Sequence, residues 1–451
     1  MKQKPEVDNH VDPTAPQRDP ASPPPIRVEH DQAEEQKIPF DLGYGTNGYA
    51  YFTSKERPSV GEPELILASR HDENRFYVAA WQENRGTHTL IVFITCLDRY
   101  GKEVSSFGDR GKFHFDTETA RYNFVTAVAE DTTGNLLVAA STRNDAQYLW
   151  KLTPAGKPDE SFGQGKGYVN VTDMLGYRFG MTHLVSFETN WFIITASPST
   201  DQYGILALDE KGERIMSFGV AGHQLLQAVI PEKYSYFYGT GMAVISAPGN
   251  QKRLVFSAVA HSNGIAHCLT CALTKDGELD TSFGENGIHT SDPDITPNGM
   301  SVTQSPESIL LYGYRWNASV GAANPIVYRL TPDGKPDKTF NHGNIVIFEK
   351  LGGWNAMIQY KKMIVGFGGF YTRSLAVRYN YDGTLDKSFM PPDGHGQLGD
   401  IYPSDGFFVN SGSMSIAIDS GKQRMLFCGN DEQHQNGYNI PCVIAISLKP
   451  E

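Results

Sequence analysis

Few residues in this 451-residue chain have the type and spacing that chemistry requires. Cys268 and Cys271 form a Cys-x-x-Cys, the spacing of redox pairs and zinc ligands. Their surroundings, AHCLTCAL, read as a β-strand, and side chains three apart on a strand point to opposite faces. That removes the pair from redox or zinc work. With Cys96, Cys428 and Cys442 the cysteines number 5, an odd count without small-domain spacing, so they are expected reduced and mostly packed. His114, His223 and His289 could ligate a metal, but each stands at a different offset from the glycine before it, so the three are not expected to converge. Asp292 and Asp294 bring two carboxylates together, too few for a calcium loop, and DPDIT reads as a solvated turn. There is no P-loop, no GxSxG and no HExxH. The sequence therefore predicts no catalytic residue, no metal site and no cofactor.

What stands out instead is a set of aromatic and basic residues in loops that are otherwise unalike. The candidate ligand- or partner-binding residues are Tyr177, Phe179, Tyr234, Tyr236, Tyr238, Arg315, Trp316, Trp354, Tyr371, Arg373 and Tyr438. Loops ordinarily carry small polar residues, whereas Tyr, Trp and Arg are the usual anchors of interfaces. Two readings are open. The rings either cover gaps between packed sheets, or they form a surface for a protein or a glycan, with sugar stacking as one version.

The elements that must position these loops follow from internal repetition. LDRYGKEVSSFGDRGKFHF starts at Leu97, LTPAGKPDESFGQGKGYVNV at Leu152 and LDEKGERIMSFGVAGHQLL at Leu208. LTKDGELDTSFGENGIHT starts at Leu273, LTPDGKPDKTFNHGNIVIF at Leu330 and YNYDGTLDKSFMPPDGHGQL at Tyr379. A degenerate copy, FDLGYGTNGYAYF, starts at Phe40. The aromatic anchors Tyr44, Phe107, Phe162, Phe218, Phe283, Phe340 and Phe389 recur at about 55 residues, a propeller-type period. Each repeat holds four short β-rich runs, and no long window has helical periodicity.

The predicted fold is all-β: a seven-bladed β-propeller of four-stranded antiparallel blades. A Pro-rich tail, residues 1–37, is expected to be disordered. The propeller then fills 38–451, with blades near 38–98, 99–153, 154–209, 210–274, 275–331, 332–380 and 381–451. In each motif the Xaa-Gly pair supplies a turn with positive φ, and the aromatic plugs the gap between blades. The glycine after it is expected to turn the chain into the innermost strand. The strands so placed on the axis are YAYF, KFHF, YVNV, HQLL, IHTS, IVIF and QLGDIY, whose only acid is Asp400. The motif loops share one face of the ring, and the aromatic loops share the other.

The repeat closely resembles that of the delta-60 repeat family of bacterial β-propeller-like proteins. LTKDGELDTSFGENG, from Leu273 to Gly287, is nearly a full match to Leu-Thr-Pro-Asp-Gly-Xaa-Xaa-Asp-Xaa-Ser-Phe-Gly-Xaa-Xaa-Gly. The resemblance covers the chain from about Phe40 onward. It departs at Met390-Pro391-Pro392 in the sixth copy and at Asn341, which replaces Gly, in the fifth. It implies a fold and a bacterial source but no settled activity.

Composition narrows the function classes. The formal net charge is -12 and no Lys/Arg run exists, which argues against nucleic acid as a partner. No apolar run approaches the ~20 residues of a membrane span, and no secretory signal is recognisable. A monomeric, cytoplasmic protein is expected, with export by a specialised machine as an alternative. The first functional reading is a non-catalytic propeller that binds a protein or glycan through the aromatic loops. The alternatives are a hydrolase- or lyase-type propeller enzyme with a site at the axial channel, and a secreted effector or toxin component.

Overall fold

The computed structural model describes residues 40–52, 61–84, 89–117, 120–142, 146–177, 179–197, 202–247, 251–370, 373–400, 407–408, 415–431 and 440–449. The expected 1–37 tail lies outside these residues. The described strands form seven antiparallel blades in a ring. Blade four shows the pattern: Ser235–Ser246, Lys252–Ser262, Ile265–Leu273 and Ile288–Thr290 pair in that order.

The innermost strand is not the one expected. Within blade four the short strand after the SFG turn pairs with the strand before it, Leu269 opposite Thr290 and Cys271 opposite Ile288. The motif folds back on the strand it follows: Leu279 bridges Leu273, and Asp280 N donates to Ala272 O. What comes next therefore runs antiparallel along that strand and becomes the outer edge. The innermost strands are Gly61–Ala68, Ala120–Glu130, Gly180–Phe187, Ser235–Ser246, Ile295–Thr303, Gly353–Tyr360 and Ile416–Asp419. These pack against one another in a closed circuit. A repeat as read in the sequence thus takes its first strand from the preceding blade. Asp400 falls on the outer strand of blade six, His395–Asp400, and not on the axis.

The same offset explains the degenerate opening copy. Tyr49–Tyr51 pairs with Ile440–Ser447, Tyr49 opposite Ile444 and Tyr51 opposite Cys442, and so supplies the outer strand of the last blade. The ring is closed by the first and last described strands.

The motif is an inter-blade joint. All seven anchor aromatics, from Tyr44 to Phe389, are buried. Phe107, Phe162, Phe283 and Phe340 each lie against the turn glycine of the next blade: Gly156, Gly212, Gly334 and Gly383. Tyr44 meets Gly101 in the same way across the seam. The residue after the aromatic donates its N–H to that next turn, as in Gly163 N to Lys211 O at 2.9 Å and Gly284 N to Asp333 O at 2.8 Å. No side chain larger than hydrogen fits at the turn, and its positive φ also favours glycine, as at Gly334 with φ +79.

A buried cation completes most joints. Arg329 Nε donates to Asp337 Oδ2 at 2.7 Å, Nη2 to Thr339 Oγ1 at 2.8 Å, and Nη1 to Tyr381 O of the next blade at 2.9 Å. Arg378 repeats this with Asp386, Ser388 and Leu448 O. Burial pushes the Asp337 carboxyl up, but the Thr339 hydrogen bonds and Arg329 outweigh it and hold the pKa below the usual range. In blades one and three the motif Asp is Val104 or Ile215, and the residue in the place of Arg329 is Cys96 or Ala207. In blades four and seven the acid, Asp280 or Asp41, is kept while the place of Arg329 holds Ala272 or Ala445, and the cation comes from the second strand as Arg253 or Arg424. Each motif acid thus keeps a buried cation, as expected when an unpaired buried charge is costly.

Candidate functional site

The axis is the first place to look for chemistry, and it is occupied by structure. Six of the innermost strands carry a β-bulge at matching height, at Glu64, Thr126, Thr182, Thr240, Asn298 and Asn355. The polar side chains there stitch one blade to the next. Val125 N donates to Glu64 Oε2 at 2.7 Å, Asn298 Nδ2 to Trp354 O at 2.9 Å, and Ile66 N to Ser415 Oγ at 2.7 Å. Nearer the motif face, the Glu130 carboxylate accepts from Ser69 Oγ at 2.7 Å, and Ser246 N donates to Glu307 Oε2 at 2.7 Å. The acids of this region therefore serve neighbouring blades. Among the described residues no group of three or more His, Cys, Asp and Glu could hold a metal ion.

The histidines considered as ligands do not meet. His114, His223 and His289 sit on the outer strands of blades one, three and four. His223 Nε2 pairs with Thr195 Oγ1 at 2.9 Å. Burial, with the charge of Arg214, lowers its pKa to about 4, so it is neutral at pH 7. His183, on the inner strand of blade three, is likewise lowered to about 4 by burial. The CxxC cysteines part as their strand requires. Cys268 joins the core between blades four and five and Cys271 the core between blades three and four. Burial pushes both thiols up, that of Cys268 to about 12.

The two loop faces stand as expected, although the connections that build them are renamed. Motif loops now join third to outer strands. The aromatic loops join second to third strands and one blade to the next, on the opposite face. Their rings divide into two groups. Phe179, Tyr234 and Trp354 are buried, at 4%, 7% and 1% exposure, and pack between blades. Trp354 lies 5.2 Å from Phe348, and Tyr234 OH is 3.2 Å from Thr290 Oγ1. Tyr177 and Tyr238 are half-buried against the same cores, Tyr177 lying 5.7 Å from Phe179. Tyr371 and Tyr438 lie outside the described residues, as do the side chains of Tyr236 and Arg373.

Trp316 is different. It is 46% exposed at the end of the second strand of blade five, Ser308–Asn317, beside partly exposed Arg315. Its backbone is fixed: Trp316 N donates to Asp294 O at 2.9 Å, and Asp294 N to Ala266 O at 2.8 Å. On the other side Gly352 N donates to Ala323 O, the residue opposite Trp316, at 2.8 Å. The hairpins of blades four and five and both flanking connections thus form one hydrogen-bonded platform. Two further exposed apolar residues stand on these hairpins, Ile265 at 41% and Val320 at 46%. Sequence reasoning passed over both because they are single aliphatic residues in Asn-Gly and Val-Gly turns.

No family model and no curated protein matches the chain. Solved structures do. The β-propeller domain of the Trilobed protease from Pyrococcus furiosus is 7% identical, covers 88% of this chain and 96% of that one, and has a TM-score of 0.48. A prolyl endopeptidase is 9% identical over 86% of this chain and 47% of its own, at a TM-score of 0.46. The PQQ-bound aldose sugar dehydrogenase from Streptomyces coelicolor is 13% identical over 73% of this chain and 97% of its own, at a TM-score of 0.38. None of these likenesses bears on function.

Proposed function

We propose that the protein is a non-catalytic binding propeller that holds a protein or glycan partner on the face opposite the repeated motif. One observation carries this reading: Trp316 is held by backbone hydrogen bonds yet half open to solvent, with exposed Ile265 and Val320 on the same pair of hairpins. A large aromatic on a rigid backbone loses little entropy on binding and brings much apolar area, which is how interface anchors work. The axial alternative has less support, because the acids and amides of the inner strands serve cross-blade hydrogen bonds. The apolar neighbours of Trp316 favour a protein surface over a sugar. The net charge of -12 favours a neutral or basic partner.

The test is to immobilise the full chain, wild type and Trp316→Ala, over a glycan array and over extract of the source cell. The reading expects one defined partner held by the wild type and lost from a Trp316→Ala chain that melts normally. Partners retained equally by both forms would end it.

A further inference from the structure

We infer that the outer wall between blades five and six holds a site for a small, flat aromatic molecule bearing a hydrogen-bond donor, of the phenol or indole type. Blade five ends in an outer strand of two residues, Val346–Ile347. Blade six enters its own outer strand through the irregular turn Met390–Gly394. Between them lies a cleft of about 260 Å³. A cavity of roughly 150 Å³ already takes benzene, so the volume suits a substituted ring. The walls are apolar: Val346, Phe348, Leu385 and the ring of Tyr379. His395 completes them, edge-on to Phe348 at 4.9 Å with the planes 87° apart.

His395 sets the chemistry. Its Nδ1 is 3.1 Å from the Asp393 carbonyl oxygen, which can only accept, so Nδ1 carries the proton. The other nitrogen, Nε2, is then a lone-pair acceptor, and among the described residues nothing donates to it. Apolar walls with this ring acceptor among them favour a ring that brings an O–H or N–H. Glu349 and Lys350, also in the lining, are exposed and opposite in charge, so together they select no ligand charge.

The test titrates p-cresol, indole and toluene into the full chain, followed by ligand-observed NMR, with melting curves for every variant. Saturable binding of p-cresol is expected, with toluene about 3- to 10-fold weaker for want of the donor. His395→Phe keeps the ring edge and removes the acceptor, so it should erase that difference. Leu385→Trp fills the cleft and should abolish binding. Should Leu385→Trp melt early, Ile347→Trp obstructs the same cleft from a rim position that is 45% exposed. The inference is overturned if p-cresol fails to saturate below about 10 mM, a limit set by so small a ligand. It is also overturned if folded His395→Phe and cleft-filling variants bind p-cresol as the wild type does.

Discussion

The Phe283 ring of blade four lies against Gly334 of blade five so closely that a Cβ on Gly334 would stand 2.7 Å from it. The aromatic and the Xaa-Gly turn recur together because they meet across the joint between consecutive blades, not within one copy. Phe283→Ala should cost about 3–5 kcal/mol, the range for emptying a buried aromatic site. Gly334→Ala should cost about 1–3 kcal/mol through its positive φ and the collision with Phe283. The informative result is the double variant. Removing Phe283 relieves the collision, so denaturant titration should show a total below the sum of the two single losses. Strict additivity would mean that the two residues do not touch.

The Arg329–Asp337 pair is a second joint. Asp337→Ala leaves a buried guanidinium without its carboxylate and should cost about 3–5 kcal/mol. Blades one and three show the alternative, with Val104 or Ile215 in place of the acid. The double change Arg329→Ala with Asp337→Ile copies blade three and should recover most of the loss. Melting curves of the three variants decide it, and a double variant as unstable as Asp337→Ala would contradict the pairing.

Acid should weaken the fold through His223. Its folded pKa, about 4, lies below the ordinary 6.5 because burial and Arg214 disfavour the charged ring. Below pH 6.5 the unfolded chain takes up a proton that the folded chain refuses, so stability is lost as pH falls from 6.5 to about 4. The loss attributable to this one group is at most roughly 3 kcal/mol. The motif carboxylates Asp159, Asp337 and Asp386 have lowered pKa values and add their loss at lower pH, once the unfolded carboxylates protonate. Denaturant stability measured between pH 7 and 4.5 should therefore fall less for His223→Gln than for the wild type. Equal slopes would show that His223 charges freely in the fold.

Much of this architecture was legible in the residues. The repeated Leu, Xaa-Gly and Ser-Phe-Gly positions announce seven blades, and the buried aromatic and the positive-φ turn glycine do in the structure what their chemistry suggests. Blade register was not legible from any one copy, because a three-residue strand such as Ile288–Thr290 can pair with the strand before it or begin the blade after it. The first motif shows the offset: the short strand in FDLGYGTNGYAYF pairs with VIAISL, Tyr49 opposite Ile444, and so completes the last blade. The binding face was only partly legible. Trp354 and Trp316 look alike as loop aromatics, but Trp354 is buried against Phe348 while Trp316 is 46% exposed. Tertiary packing decides between them, and part of it, Leu310 and Tyr312 in the core that holds Trp354, lies about 40 residues away in sequence.

The binding claim is tested most directly by titrating the captured partner against the wild type, Trp316→Ala and Lys275→Ala, with Lys275 in a motif turn on the opposite face. The account predicts that Trp316→Ala weakens affinity by about 30-fold or more, the cost of losing an anchor. It predicts that Lys275→Ala binds as the wild type does, and that all three chains melt together. Wild-type affinity in a folded Trp316→Ala chain would contradict the account.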